Sequence, residues 1–171
     1  MLVLMISLVV SKRSANLRRP VEQMNSKSFD YRKVPDHTVP RKHWIKGPML
    51  QVSLFNETKY QQIVCLVDSG ADECLFHASI GRSLGIDLES GTHKIFEGIA
   101  GSIEAYIHPV EIQIQDFPEP VRIEAGFTES DGVHAILGQA GFFENFRICF
   151  ERYRWRIEVT NRPESKRSLS E

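Results

Sequence analysis

The chain has 171 residues, enough for one domain with tails and too few for two full lobes of ordinary core size. Hydrophobic residues make up 42% and charged residues 25%, as in an ordinary globular chain, and a formal net charge of −1 gives no electrostatic pull toward nucleic acid. Three cysteines, Cys65, Cys74 and Cys149, are an odd number without CxxC spacing, which argues against a disulfide framework and a zinc cage and points to buried, inert thiols in a reducing compartment.

The apolar run Met1 to Val10 is shorter than the roughly 20 residues a spanning helix needs. It also carries its basic residues, Lys12 and Arg13, after the apolar stretch, where a secretory signal has them before. Membrane association through these ten residues is the minority expectation and a cytoplasmic location the main one. Residues 11–46 are polar, basic and broken by Pro20, Pro35 and Pro40, so 1–46 is expected as an arm or linker, with Met24 an alternative translation start. Residues 161–171 read as a flexible tail, which leaves a domain over 47–160.

Within that domain the period is two. Strands are expected at Gln51–Phe55, Tyr60–Val67, Ser102–Ile107, Val110–Ile114, Val121–Phe127 and Arg154–Val159. Val110, Ile112 and Ile114 alternate with Glu111, Gln113 and Gln115, giving one apolar and one polar face. A helix is expected over Ala78–Leu84, with Gly85 placed for a left-handed cap, and a second short one over Ala140–Phe146. Strands joined by turns with one or two short helices imply an all-β protein, a closed β-barrel.

The chemistry concentrates where the apolar run Ile63 to Val67 ends abruptly on Asp68, followed by Ser69, Gly70, Ala71 and Asp72. A sheet holds such a carboxylate rigidly, and a side-chain-free Gly70 lets another backbone approach. The plainer alternative is a β-turn in which Asp68 only bonds local amides. Some seventy residues on, Ala135, Ile136 and Leu137 form a second apolar strand ending at Gly138, followed by Gly141, Phe142 and Phe143.

The loop Asp68-Ser69-Gly70-Ala71, the helix after it and the second apolar-Gly motif, in this order, resemble the retropepsin-like aspartic peptidases, whose signature is D-[ST]-G-A. The stretch Leu137 to Phe143 is similar to one in the small bacterial single-domain members. The resemblance spans about Met49 to Val159. It implies a retropepsin-like barrel and an aspartic endopeptidase with Asp68 catalytic. Ser69, Gly70 and Ala71 would support the active-site loop, and Ile136, Leu137 and Gly138 would form the structural second motif. That chemistry needs two carboxylates sharing one proton. Glu89-Ser90-Gly91 and Ser130-Asp131-Gly132 lack the strand and residue order for a second one, so two copies of Asp68 must meet across a two-fold axis. At about 3 Å and an effective dielectric near 20, two carboxylates repel by roughly 5 kcal/mol, so one must hold a proton.

By the same resemblance, Glu97 to Ser102 is the tip of a flap over an extended peptide or protein substrate, with Gly98, Ile99, Ala100, Gly101 and Asp72 as substrate-binding residues. An ordinary hairpin turn is the alternative. Many relatives place an Arg after the second motif to pair with the acid at Asp72. Gln139 stands there instead, so Asp72 must find another donor, stay wet or face substrate, and Arg147 is a candidate partner.

Scattered histidines, including His77, His108 and His134, give no metal spacing, and neither a metal nor another cofactor is expected. Arg152, Arg154 and Arg156 read as a solvated strand face or dimer rim, and Phe142, Phe143 and Phe146 as core. The second functional reading is a retropepsin-like dimer that binds peptides or partner proteins without cutting them. The third is self-processing, in which the enzyme removes its own arm.

Overall fold

Leu50, Val52 and Leu54 are almost fully buried while their neighbours along the strand are not, which is how a period of two becomes the inner face of a barrel. The computed structural model describes residues 25–36, 43–98 and 101–162. Its early strands are β1 (Ser26–Asp30), β2 (Arg32–Asp36), β3 (His43–Gly47), β4 (Met49–Asn56), β5 (Lys59–Val67) and β6 (Cys74–His77). After helix α1 (Ala78–Ser83) come β7 (Thr92–Gly98), β8 (Gly101–Ile114), β9 (Val121–Thr128), β10 (Ala135–Leu137), β11 (Phe146–Glu151) and β12 (Arg156–Asn161).

Six strands close on themselves in the order β4-β5-β10-β6-β9-β8, with β8 returning to β4. The expected all-β closed barrel is therefore observed. Its interior is filled by side chains such as Phe76, Phe127, Ile112 and Leu137, all at 1% exposure or less. The stretches Ser102–Ile107 and Val110–Ile114, expected as two strands, are one continuous strand through Pro109. On one edge of β8, pairing with β7 stops at Ile107 and pairing with β4 starts at Glu111. Pro109 falls in that gap, where no ladder bond is lost. The outer half of β8 and β7 form a hairpin that projects from the barrel.

Helix α1 ends on Leu84, and Gly85 follows at φ 74°, the left-handed conformation expected of it. The helix expected over Ala140–Phe146 is instead a run of turns. Gly141 at φ 87° breaks helical geometry there, and the Phe146 amide donates to Phe142 O at 3.0 Å in a single turn.

A second sheet lies outside the barrel in the order β1-β12-β11. Part of the segment expected as an arm is thus a strand, because β1 pairs with β12 from Ser26↔Thr160 to Asp30↔Arg156 and Tyr31 N donates to Trp155 O at 2.7 Å. Residues 32–36 and 43–47 pair as a further hairpin. The expected strand Arg154–Val159 begins only at Arg156. Arg152–Arg154 is a 3-10 turn that leads into Trp155 at φ 56°. The three arginines are therefore no strand stripe, and Arg152 stacks on the Trp155 ring at 3.3 Å from its centroid. Among the described residues no helix is long and apolar enough to cross a membrane.

Phe142, fully buried, packs against Phe143 and Phe146 at 5.5 and 5.3 Å between ring centroids and links the barrel core to β11. Phe142→Ala is expected to cost about 3–5 kcal/mol, read as a lower denaturant midpoint at unchanged slope.

Candidate active site

Strand β5 is apolar on both faces because both are covered: Ile63, Cys65 and Val67 are buried, Val64 and Leu66 half-buried. It pairs with β4 on one side and runs parallel to β10 on the other, with Leu137 opposite Val67. The Val67 amide donates to Pro48 O at 2.9 Å, and the Asp68 amide to Leu137 O at 3.0 Å. Asp68 therefore leaves the sheet with its backbone held from both flanks, and it is half-buried.

The next five residues turn back over the end of β10. Ala71 N donates to Asp68 O at 3.3 Å, and Gly70 N donates to Asp68 Oδ1 at 2.9 Å. That last bond is the local turn contact weighed above, and it orients the carboxylate while leaving Oδ2 outside it. Ser69 and Gly70 are exposed and Ala71 is half-buried. The chain then enters β6, which pairs antiparallel with β10, so β10 lies between the strands that bring and carry away the loop.

Gly138 sits beneath the turn. A Cβ on it would stand 2.2 Å from Glu73 O and 2.8 Å from Ala71 O, distances no side chain can occupy. With that space empty, Gln139 N donates to Ala71 O and Ala140 N to Asp72 O, both at 2.8 Å, and Glu73 bridges Ala140. The Cys74 thiol donates to Ala140 O and accepts from Gly138 N, each at 3.4 Å, and burial pushes it up to about 11. Cys65 is pushed higher still, by burial first and by Cys74 second. Both are buried free thiols, as expected, while Cys149 is exposed.

Gln139 takes a role its sequence position did not announce. Its Nε2 donates to Ser69 O at 2.7 Å, bracing the loop through a carbonyl. Asp72 is exposed, so it carries no buried-charge penalty, and it forms no ion pair with Arg147 among the described residues. The neighbouring Glu73 is the paired acid, to Lys94 on β7, which ties the loop to the projecting hairpin. Lys94 also lies 5.1 Å over the Phe96 ring.

At the hairpin tip Gly98 pairs with Gly101, which has φ 124°; Ile99 and Ala100 lie outside the described residues. The sequence reading missed a small apolar cluster joining the hairpin to the strands around the acid: Leu75, Ala105 and Val133, with Phe96, Ile103 and Ile136 against them. The alternation Ile103, Ala105, Ile107 was its only signal, since Leu75 and Val133 come from short segments without a period. Beside it, a cavity of about 350 Å³ is lined by Ser102, Ile103, Tyr106 and Ser130 and walled by the Arg82–Glu129 ion pair. The hydrogen bond from Arg82 holds the exposed Glu129 carboxyl below its ordinary range. His108, by contrast, is a core residue, with Nε2 2.8 Å from Leu88 O. Among the described residues no cluster of histidine, cysteine and acid side chains could hold a metal.

The chain thus presents one candidate carboxylate, Asp68, on a braced loop that the Glu73–Lys94 ion pair ties to the hairpin. No protein-family model matches the chain, and no curated protein sequence does. Among solved structures, a retropepsin-like aspartic protease from Rickettsia conorii superposes with a TM-score of 0.53 at 14% identity, over 80% of this chain and 99% of that one. EIAV protease in complex with the inhibitor HBY-793 gives a TM-score of 0.42 at 19% identity, over 61% and 88%. The chain has the retropepsin-like fold, on the first of these superpositions and the closed barrel.

Gly138→Ala is expected to destabilise by about 3 kcal/mol or more, because backbone on both sides of the loop must move. Gln139→Ala, which removes only the bond to Ser69 O, is expected to cost about 1 kcal/mol. Chemical unfolding of the two variants side by side checks the order.

Proposed function

We propose that the protein is an aspartic endopeptidase that works as a homodimer, each protomer contributing Asp68. The observation that carries this reading is Asp68 itself, at the end of a doubly covered strand, with its amide held by Leu137 O and one carboxylate oxygen oriented by Gly70 N. A carboxylate fixed this way needs little reorganisation to act on a water molecule.

In the dimer the two Asp68 side chains share one proton. The ionised one takes a proton from water as it attacks the peptide carbonyl, and the protonated one donates to the carbonyl oxygen. Ser69 bonds across to the matching loop, and Gly70 and Ala71 flank the substrate backbone. The β7–β8 hairpin serves as the flap, with Gly98 to Gly101 as its tip and Asp72 at the rim. The substrate is an extended peptide or protein segment, and the apolar cluster around Ile103 and Ile136 supports preference for an apolar side chain. The buried free thiols fit a reducing compartment such as the cytoplasm.

Asp68→Asn is expected to abolish cleavage of a mixed peptide library while leaving the oligomeric state unchanged. The parent should show a bell-shaped profile on the acidic side, because activity falls when both carboxylates are protonated at low pH and when the shared proton leaves as pH rises. If parent and variant are both dimeric and neither cuts at any pH, the dimer is a peptide-binding module and Asp68 a turn residue.

A further inference from the structure

Strand alternation divides the residues of the β2–β3 hairpin between two faces. Lys33 opposite Lys46 and Pro35 opposite Trp44 share one face, and all four are exposed. Arg32, Val34 and Ile45 take the other, where Arg32 Nη2 donates to Gln51 Oε1 at 3.2 Å and ties the hairpin to β4. Apolar surface is nevertheless open on both faces, with Trp44 57% and Ile45 46% exposed. Two lysines directly opposite one another cost a sheet stability, so folding does not account for the arrangement.

The hairpin is continuous with a second basic segment. Lys46 Nζ lies 4.9 Å from the centre of the Trp155 ring and the Arg152 guanidinium 3.3 Å from it, while the buried Tyr31 meets the same ring edge-on at 6.0 Å between centroids. Trp155 thus joins the hairpin to the 3-10 turn, whose Arg152, Tyr153 and Arg154 are exposed. Both tryptophans of the chain therefore lie on one surface. Residues 32–36, 43–47 and 152–156 hold six of the 21 lysines and arginines and, of the 22 acids, only Asp36, in a chain whose formal net charge is −1. Asp30, opposite Arg156, and Glu151, which accepts from Tyr153 Oη at 3.2 Å and Arg154 at 3.5 Å, stand at its border.

We propose that this surface docks the protein on an anionic lipid bilayer. Trp44 enters the headgroup layer with the hairpin, and Lys33, Lys46, Arg152 and Arg154 meet lipid phosphates. Tryptophan and tyrosine rings gain at headgroup level, where one end of the ring is apolar and the other wet, and the stems of lysine and arginine carry their charge to the phosphates. Apolar side chains on both faces of a two-stranded hairpin fit a layer that surrounds it better than a partner that covers one side. A nucleic acid, the other polyanion the charge suits, stacks its bases on open aromatic faces, and Arg152 already covers that of Trp155. Docking of this kind needs no spanning helix, and it is independent of the peptidase reading.

The test is flotation of the full chain with vesicles of phosphatidylcholine, alone or mixed with phosphatidylserine. Binding is expected to the mixed vesicles only, and to fall about tenfold or more between 0.1 and 1 M salt, as the screening length drops from about 10 to 3 Å. Lys33→Glu and Trp44→Ala are each expected to weaken it about tenfold at an unchanged denaturant midpoint, since both side chains are exposed. Tryptophan emission of the parent should shift to the blue on mixed vesicles, and Trp44→Ala should lose that shift. Absence of binding, or binding indifferent to lipid charge, overturns the proposal. Binding unchanged in both variants also overturns it and moves the contact to the apolar residues 1–10. A single-stranded oligonucleotide bound as tightly as the vesicles, with no blue shift on lipid, overturns it in favour of a nucleic-acid surface. Cleavage by the parent and its loss in Asp68→Asn are read separately, so either reading can fail without the other.

Discussion

Everything around the candidate acid depends on the missing side chain of Gly138. The carbonyls of Glu73 and Ala71 occupy the space where its Cβ would stand. This close approach lets the chain leave β5, turn over the end of β10 and return as β6, with the amides of Gln139 and Ala140 meeting the loop's carbonyls at 2.8 Å. A bulkier residue would lift the loop, and the Asp68 amide would lose its hold on Leu137 O. The geometry of the carboxylate is thus set by backbone contacts made some seventy residues away in sequence, and the barrel's own ladder keeps those two stretches together.

The strands that carry Asp68 and Gly138 and the hairpin beside them are held in different ways. Asp68 and Gly138 stand at the ends of strands in a closed barrel, where every neighbouring strand is paired on both sides. The β7–β8 hairpin is paired only within itself and held at its base by the apolar cluster and the Glu73–Lys94 ion pair. Lys94 is about half exposed, so that pair contributes little to stability.

What the sequence made legible follows burial on both faces. The run Ile63 to Val67 announces a central strand because its period collapses into continuous apolarity, and Ile112 and Ile114 announce a barrel wall because their period is kept. Strand β1 gives no such signal. Ser26, Lys27, Ser28 and Asp30 are polar, and their extended state comes from pairing with β12, a partner more than a hundred residues away. The turns over Ala140 to Phe146 carry helical spacing of phenylalanines, but Gly141 at positive φ decides the backbone first. Gln139 was read by what it replaces, a lost cation for Asp72. The fold instead exposes Asp72 and uses the amide to hold Ser69 O. Spacing locates a residue on an element, but which of its atoms meets which neighbour is decided by tertiary approach.

The barrel and the outer sheet of this short chain offer different surfaces to other molecules. A closed barrel has no strand edge to offer another molecule, so any growth of sheet must occur elsewhere. Among the described residues, open edges include those at β1 and β11 in the outer sheet, at β7 and the first half of β8 in the projecting hairpin, and in the small β2–β3 hairpin. The β7 edge stands next to Lys94 and its acid, on the side of the candidate site, whereas β11 is joined to the barrel through the buried Phe142 and Phe146. A peptide added at the β7 edge and a second copy added at β11 would therefore occupy different edges and not compete. The homodimer proposed for this chain needs that separation, because a site assembled from two copies must keep its copies together while the substrate strand comes and goes.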